Sequence, residues 1–326
     1  MRIVLCYPVE ERHRAQMAAA APRAEIVDAG QDGIPEAILE ADIYCGHSKG
    51  PPIDWPAAVR RGRLRWIQSS AAGMDHCLVP AVVESDITVT SASGVLADQV
   101  ADHTIALMGA LARSLPVFFR AQQKREFIRR PTRDLHHSTV GIVGFGGNGR
   151  RLAEVLRVFK TRIVATDYYP VDKPEYVDSL LPPERLDELL PQLDYLVLAA
   201  PLTAATRGMI NRHTLGRMRQ GSFLVNMARG KLVEERDLVA ALEAGHLAGA
   251  AVDVTAEEPL QADSPLWDAP NMIITPHVGG QSARRIDDMT DFFCENLKRF
   301  LDGRVLLNYV EEKRLGFPHP RGLARH

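Results

Sequence analysis

The chain is poor in cysteine, carries almost no net charge and contains no long apolar run. Its four cysteines, Cys6, Cys45, Cys77 and Cys294, are scattered and form no C-x-x-C pair. A disulfide framework or a zinc site is therefore not expected, no other metal is expected, and a reducing cytoplasm fits. Lysine and arginine number 39 against 41 acidic residues, a formal net charge of −2. That balance supplies no field for nucleic acid or an anionic membrane, so neither is expected as a partner. No stretch approaches the roughly 20 apolar residues of a membrane span. Met1-Arg2-Ile3-Val4-Leu5 reads as a strand start rather than a signal peptide, because its apolar run is too short. Internal repeats and low-complexity stretches are also missing. What remains is a chain of 326 residues, 46% hydrophobic and 25% charged. That is enough to bury substantial cores, in about two domains.

The most informative stretch runs from Ser138 to Asp167. An apolar run, Thr139-Val140-Gly141-Ile142-Val143, leads into Gly144-Phe145-Gly146-Gly147-Asn148-Gly149. Leu152, Val155, Leu156 and Phe159 then recur at helical spacing. A second β-type run, Arg162 to Thr166, ends at Asp167, 23 positions after Gly144. Strand, G-x-G-x-x-G, helix, strand and acid in that order describe a dinucleotide site. Gly144 makes the tight turn, Gly146 lets the backbone approach a pyrophosphate, and Gly149 allows close helix–strand packing. The helix start offers free N–H groups and positive partial charge to the phosphates. Asp167 is placed to accept hydrogen bonds from the adenosine ribose and to repel a 2′-phosphate, which favours NAD over NADP. Asn148 is unusual, because this position normally holds an apolar residue under the helix. Its amide must find a partner or tilt the helix start.

Taken in order, residues 1–92 alternate five short apolar runs (3–6, 24–27, 43–45, 66–68 and 87–90) with helical stretches at 10–20, 35–41 and 56–61. Alternation of this kind predicts a parallel sheet covered on both faces. A long helix follows from Ser93, with Val100, Thr104, Leu107 and Leu111 on one face and Pro116 at its expected end. Residues 117–137 mix Phe118, Phe119 and Phe127 with arginine and lysine, which reads equally as a solvated helix or as a subunit contact. Further strands at 195–199, 223–226, 250–254 and 272–275 bring the second sheet to six. Another amphipathic helix spans 282–302, with Ile286, Met289, Phe293, Leu297 and Phe300 on one stripe. The fold class expected is α/β: a doubly wound parallel Rossmann sheet, residues 99–282, inserted into a smaller flavodoxin-like α/β domain of residues 1–98 and 283–326. The basic tail from Arg314 to His326 is expected to be partly disordered.

Ligands of doubly wound sheets sit at the carboxyl ends of the strands. Those ends carry Pro201-Leu202-Thr203, then Asn226-Met227-Ala228-Arg229-Gly230, then Asp253 to Pro259, then Pro276-His277-Val278-Gly279-Gly280. One histidine among eleven is usually structural, and one arginine is usually solvated. Consecutive strand ends that deliver Arg, Asp/Glu and His to one rim are another matter.

These motifs, with Thr206-Arg207-Gly208, Thr275 and the stretches Leu64 to Gln68 and Ala71 to Asp75, resemble the NAD-dependent D-isomer-specific 2-hydroxyacid dehydrogenases over nearly the whole chain. The resemblance implies reversible hydride transfer between NAD(H) and C2 of a 2-keto or D-2-hydroxy acid. It implies that Arg229 binds the substrate's carboxylate and carbonyl, that His277 is the acid–base and that Glu258, the residue before the proline, is its partner rather than Glu257. Asp253 would hold the nicotinamide carboxamide. Around the cofactor it also places Gly144, Gly146, Gly147, Asn148, Gly149, Asp167, Pro201, Thr206, Met227, Ala228, Arg229, His277 and Gly279. Backbone N–H groups of Ala72 and Gly73 would meet the substrate carboxylate. Gly46, His47, Ser48 and Lys49 are candidates for the substrate's tail, although a solvated loop accounts for them more simply. A homodimer is implied, with Phe118 to Phe127 as the contact. Corepressor-like NAD(H) sensors and formate or phosphite oxidation share the scaffold. An Arg, Glu and His set favours the 2-keto acid enzyme over the first, and no residue points to either oxidation.

Overall fold

The computed structural model describes residues 1–324. Two compact units are present, one formed by Met1–Leu96 and the chain from Ser282 onward, the other by Ala97–Gln281.

In the first unit, five parallel strands stand in the order β2-β1-β3-β4-β5: β1 Arg2–Cys6, β2 Glu25–Asp28, β3 Ile43–Gly46, β4 Trp66–Ser69 and β5 Thr88–Thr90. This is the flavodoxin-like order. One face buries Val4, Tyr44, Ile67 and Val89 under Ile34, Trp55 and Val82. The other buries Ile3, Leu5, Ile43 and Trp66 under Met17, Phe293 and Leu297. Phe293 and Leu297 lie on the helix Arg285–Leu301, whose Met289, Phe293 and Leu297 stripe is fully buried. Gly303 follows it at φ +66°, a left-handed stop that glycine adopts without strain.

The tail is tied to the first unit by hydrogen bonds through Ala324. Buried Asn308 donates to the carbonyls of Ser91 (3.0 Å) and Ser93 (2.7 Å) and accepts from the N–H of Ala324 (2.8 Å). Its own N–H bonds Gly322 O at 2.8 Å. One buried amide thus fastens the chain through Ala324, and residues 325 and 326 lie outside the described residues.

The second unit holds seven parallel strands in the order β12-β11-β10-β9-β6-β7-β8. They are β6 Thr139–Val143, β7 Arg162–Thr166, β8 Ser179–Leu181, β9 Tyr195–Leu198, β10 Phe223–Asn226, β11 Gly249–Val252 and β12 Met272–Ile274. The sheet reverses direction between β6 and β9, the switch point beside which nucleotides bind in such folds. Six strands were expected. The extra one, β8, has three residues and buries only Leu180, too little for an alternating pattern to register. Pro116 also differs from expectation. The helix Ala97–Ala112 stops before it, at Ser114 with φ +56°, and Pro116 sits in the first turn of the next helix, Leu115–Gln123. There its missing N–H costs nothing. Among the described residues no single helix is long and apolar enough to cross a membrane.

Candidate active site

The glycine turn after β6 is built by contacts that exclude side chains. Gly144 has φ +93°, and a Cβ there would lie 2.5 Å from Ala200 N. A Cβ on Gly149 would lie 2.2 Å from Gly144 O. The helix Gly147–Leu156 can therefore start directly against the strand end, with Gly146 extended before it. Such a cradle, bare of side chains and capped by a helix start, fits a pyridine dinucleotide's pyrophosphate. Asn148 stands half-buried on the first helical turn, so its amide keeps access to water rather than lying beneath the helix.

Asp167 reaches back to this turn from the end of β7. Its Oδ2 accepts from Phe145 N at 2.6 Å and its Oδ1 from Tyr169 N at 2.8 Å. The Arg150 guanidinium lies over the Phe145 ring, 4.9 Å from its centroid, and donates to the carbonyls of Val171 and Asp172. Burial lowers its pKa. Across the switch point, Thr206 Oγ1 donates to Pro201 O at 2.7 Å and accepts from Thr203 N at 2.8 Å. The Thr206 hydroxyl is thus committed to closing the turn that carries Pro201.

Beyond β10 the chain turns under the control of Asn226, a residue that the sequence did not single out as functional. Its buried side chain accepts from Ala228 N (3.1 Å) and donates to Arg229 O (2.9 Å). Arg229 Nη1 donates to Ala228 O at 2.8 Å. Gly230 then packs on the backbone of the turn after β11, with Thr255 C only 1.9 Å from where a Cβ would stand. That second turn carries Glu258, whose Oε1 accepts from Thr255 N at 3.3 Å. Glu258 Oε2 lies 2.7 Å from His277 Nδ1. Among the described residues Glu257 makes no side-chain hydrogen bond to His277, and its main-chain carbonyl accepts from Thr255 Oγ1 at 2.6 Å. The imidazole and its carboxylate are 44% and 41% exposed, so both keep access to solvent.

Asp253, 3% exposed, is the post around which the His277 turn winds. Its Oδ1 accepts from Thr275 Oγ1 (2.6 Å) and Val278 N (2.9 Å), its Oδ2 from Gly279 N (2.8 Å), and its carbonyl from His277 N (2.7 Å). A Cβ on Gly279 would meet Met227 Cε at 2.6 Å and Asp253 Oδ2 at 2.9 Å, so a side chain here would have to displace both. Three of the carboxylate's roughly four acceptor positions are taken within the protein. The position left is on Oδ2, which among the described residues accepts only from Gly279 N.

In the first unit, Ala72 and Gly73 follow β4 on a loop shaped by Ser69, whose Oγ accepts from Ala71 N at 3.0 Å. Among the described residues neither the Ala72 nor the Gly73 N–H donates to a protein acceptor. The loop after β3 is exposed at Lys49 and Gly50, and its backbone is braced by Gln31. Gln31 Oε1 accepts from Lys49 N (2.6 Å) and Gly50 N (3.1 Å), and His47 stacks on His76 with centroids 4.0 Å apart.

Residues 105–279 match the family model described as D-isomer specific 2-hydroxyacid dehydrogenase, NAD binding domain. A glyoxylate reductase of Pyrococcus furiosus is 35% identical, over 78% of this chain and 77% of that one. A glycerate dehydrogenase of Methylorubrum extorquens is 32% identical, over 74% of this chain and 77% of its own length. The crystal structure of a D-isomer specific 2-hydroxyacid dehydrogenase from Xanthobacter autotrophicus, in complex with NADPH and MES, superposes with a TM-score of 0.80 at 27% identity, covering 96% of this chain and 99% of that one. With a family model spanning more than half of its length and relatives matched across both units, the chain belongs to the D-isomer specific 2-hydroxyacid dehydrogenase family.

Proposed function

We propose that the protein reduces a small 2-keto acid to the D-2-hydroxy acid, reversibly, with NADH as the preferred cofactor. The observation that carries this reading is the His277–Glu258 pair at 2.7 Å, whose carboxylate stands on the turn next to that of Arg229. Glu258 occupies Nδ1 of the imidazole and so directs Nε2 outward, where it can hand a proton to a keto oxygen. Arg229 supplies a planar, permanently charged fork for the carboxylate and carbonyl of the substrate. In the first unit, the uncommitted N–H groups of Ala72 and Gly73 are assigned to a substrate carboxylate. The glycine turn from Gly144 to Gly149, with Pro201, Met227 and Ala228, would hold the dinucleotide, Asp167 its adenosine ribose, and Asp253 its carboxamide. When bound, that cofactor supplies the hydride that C2 receives.

Preference for NADH rests on the Asp167 carboxylate, which a 2′-phosphate would face at close range. A homodimer is proposed from the aromatic residues of 117–128, where Phe119 is 58% and Phe127 95% exposed. The four buried free thiols suit a reducing cytoplasm. The test is turnover of glyoxylate, hydroxypyruvate, pyruvate and phenylpyruvate with NADH and with NADPH. Binding of NADH without turnover of any of them would instead favour a sensor on the same fold.

A further inference from the structure

The helix Ala97–Ala112 presents His103 to the far side of the Asp253 post. His103 Nε2 lies 3.0 Å from Thr275 Oγ1 and 3.5 Å from Asp253 Oδ1. The direction of the protons follows from chemistry alone. A carboxylate only accepts, so at 2.6 Å the Thr275 hydroxyl must give its proton to Asp253 Oδ1. Thr275 Oγ1 then has only lone pairs left for the imidazole, and His103 must carry its proton on Nε2. The relay runs one way, His103 Nε2–H to Thr275 Oγ1–H to Asp253.

We infer that His103 is a positioning residue for the turn that holds His277. Asp253 is 3% exposed, and among the described residues His103 is the one basic group within ion-pair distance of it. A buried carboxylate needs such company. The same carboxylate fixes the backbone after His277 through Val278 and Gly279, and its carbonyl fixes His277 itself. His277 is held at φ +54°, a left-handed conformation that few residues with a side chain adopt, histidine more readily than most, so the surrounding turn has to hold it there. Its ring has Glu258 as its one protein partner among the described residues. Slack in the relay therefore passes to the backbone that aims the imidazole. A displacement of about 1 Å there costs on the order of 100-fold in rate. The helix anchors the relay firmly, since Ala101, Leu107, Met108 and Leu111 flank His103 in the core.

This inference rests on His277 as the proton donor, and the experiment separates the two. The variants are His103→Ala, His103→Gln, Thr275→Val, the pair His103→Ala/Thr275→Val, and His277→Ala. For each, kcat and KM are measured with a turned-over keto acid, NADH affinity by fluorescence titration, and folding by thermal melts. His103→Ala and Thr275→Val are expected to lower kcat about 10- to 100-fold. KM for the keto acid should stay within about threefold, because Arg229 is untouched. The double variant should be no worse than either single one, since both break the same relay. His103→Gln should recover most of the loss, because its amide can donate to Thr275 Oγ1. Wild-type kcat in His103→Ala, losses that multiply in the double variant, or a glutamine variant as poor as alanine would overturn the inference. If His103→Ala fails to fold, Thr275→Val and His103→Gln decide it alone. Wild-type kcat in His277→Ala would instead remove the underlying reading, whatever His103 does.

Discussion

Gly230 rests on the backbone of Thr255 so closely that any side chain would collide, a Cβ falling 2.1 Å from Thr255 O. The contact joins the turn of Arg229 to the turn of Glu258. Neither strand end could approach the other if residue 230 had a side chain. Gly230→Ala must therefore push the two turns apart. We expect a lower melting temperature, by overpacking worth about 1–3 kcal/mol or more, together with at least a tenfold loss of kcat/KM. Gly216→Ala is the matched control. Gly216 lies inside the helix Arg212–Arg217 with nothing within 4 Å of its would-be Cβ. That variant should be stabilised by about 0.4–1 kcal/mol. Equal tolerance of both changes would show that the turns are not coupled through this contact.

What the sequence made legible was the order of parts. The glycine turn, the acid that follows it and the polar residues at the strand ends lie in short, contiguous stretches. Hydrophobic periodicity then places them on one edge of a sheet. What stayed hidden depends on pairs far apart in the chain. Nothing near His103 shows that it meets Thr275, 172 positions later. Asn226 reads as the last strand residue until its side chain is seen bridging Ala228 and Arg229. Gly230 reads as a turn former, whereas its role is to let two backbones touch. The attachment of the chain through Ala324 is a similar case, since it runs through one buried asparagine, Asn308.

Asp167 carries two expectations at once. Its carboxylate should repel a 2′-phosphate, so the wild type should turn over faster with NADH than with NADPH at equal concentration. Asp167→Ser should narrow that gap. The same carboxylate accepts from Phe145 N and Tyr169 N, and hydrogen bonds to charged groups contribute about 1.5–3 kcal/mol each. The variant should also melt earlier without cofactor. Steady-state kinetics with both cofactors reads the first effect, and cofactor-free melts read the second. Equal or better use of NADPH by the wild type would sink the assignment of Asp167.

Assembly is read from the exposed aromatics. Phe119, Phe127 and Ile128 are 58%, 95% and 42% exposed within a short stretch, and large apolar side chains grouped in this way mark contact surfaces. Light scattering at micromolar concentration should show a dimer, and Phe127→Ser combined with Phe119→Ser should shift it toward monomer. A wild-type monomer at that concentration contradicts the proposal.

Arg229 and His277 should fail differently when changed. Arg229→Lys keeps the charge but loses the planar fork, so KM for the keto acid should rise and kcat fall together. His277→Ala should lower kcat by about 10²–10⁴-fold with NADH affinity barely changed. The check is a full kinetic comparison with NADH titrations. A lysine variant with wild-type KM would move the substrate carboxylate to other donors.

Glu258 Oε2 stands 2.7 Å from His277 Nδ1, the closest protein contact that the imidazole makes among the described residues. Glu258→Gln keeps the size and a hydrogen-bonding oxygen but removes the negative charge beside the ring. Both groups are more than two-fifths exposed, so solvent screens the pair. Exposed pairs contribute about 0.2–1 kcal/mol, which converts to a fall in kcat of no more than about fivefold. Glu258→Ala removes the acceptor as well and frees the ring to turn, so its loss should be larger. KM for the keto acid and NADH affinity should stay close to wild type in both variants, because Arg229 and the glycine turn are untouched. Steady-state kinetics with NADH titrations measure this. Wild-type kcat in both variants would remove Glu258 from the mechanism and leave the imidazole to be oriented by its backbone turn alone.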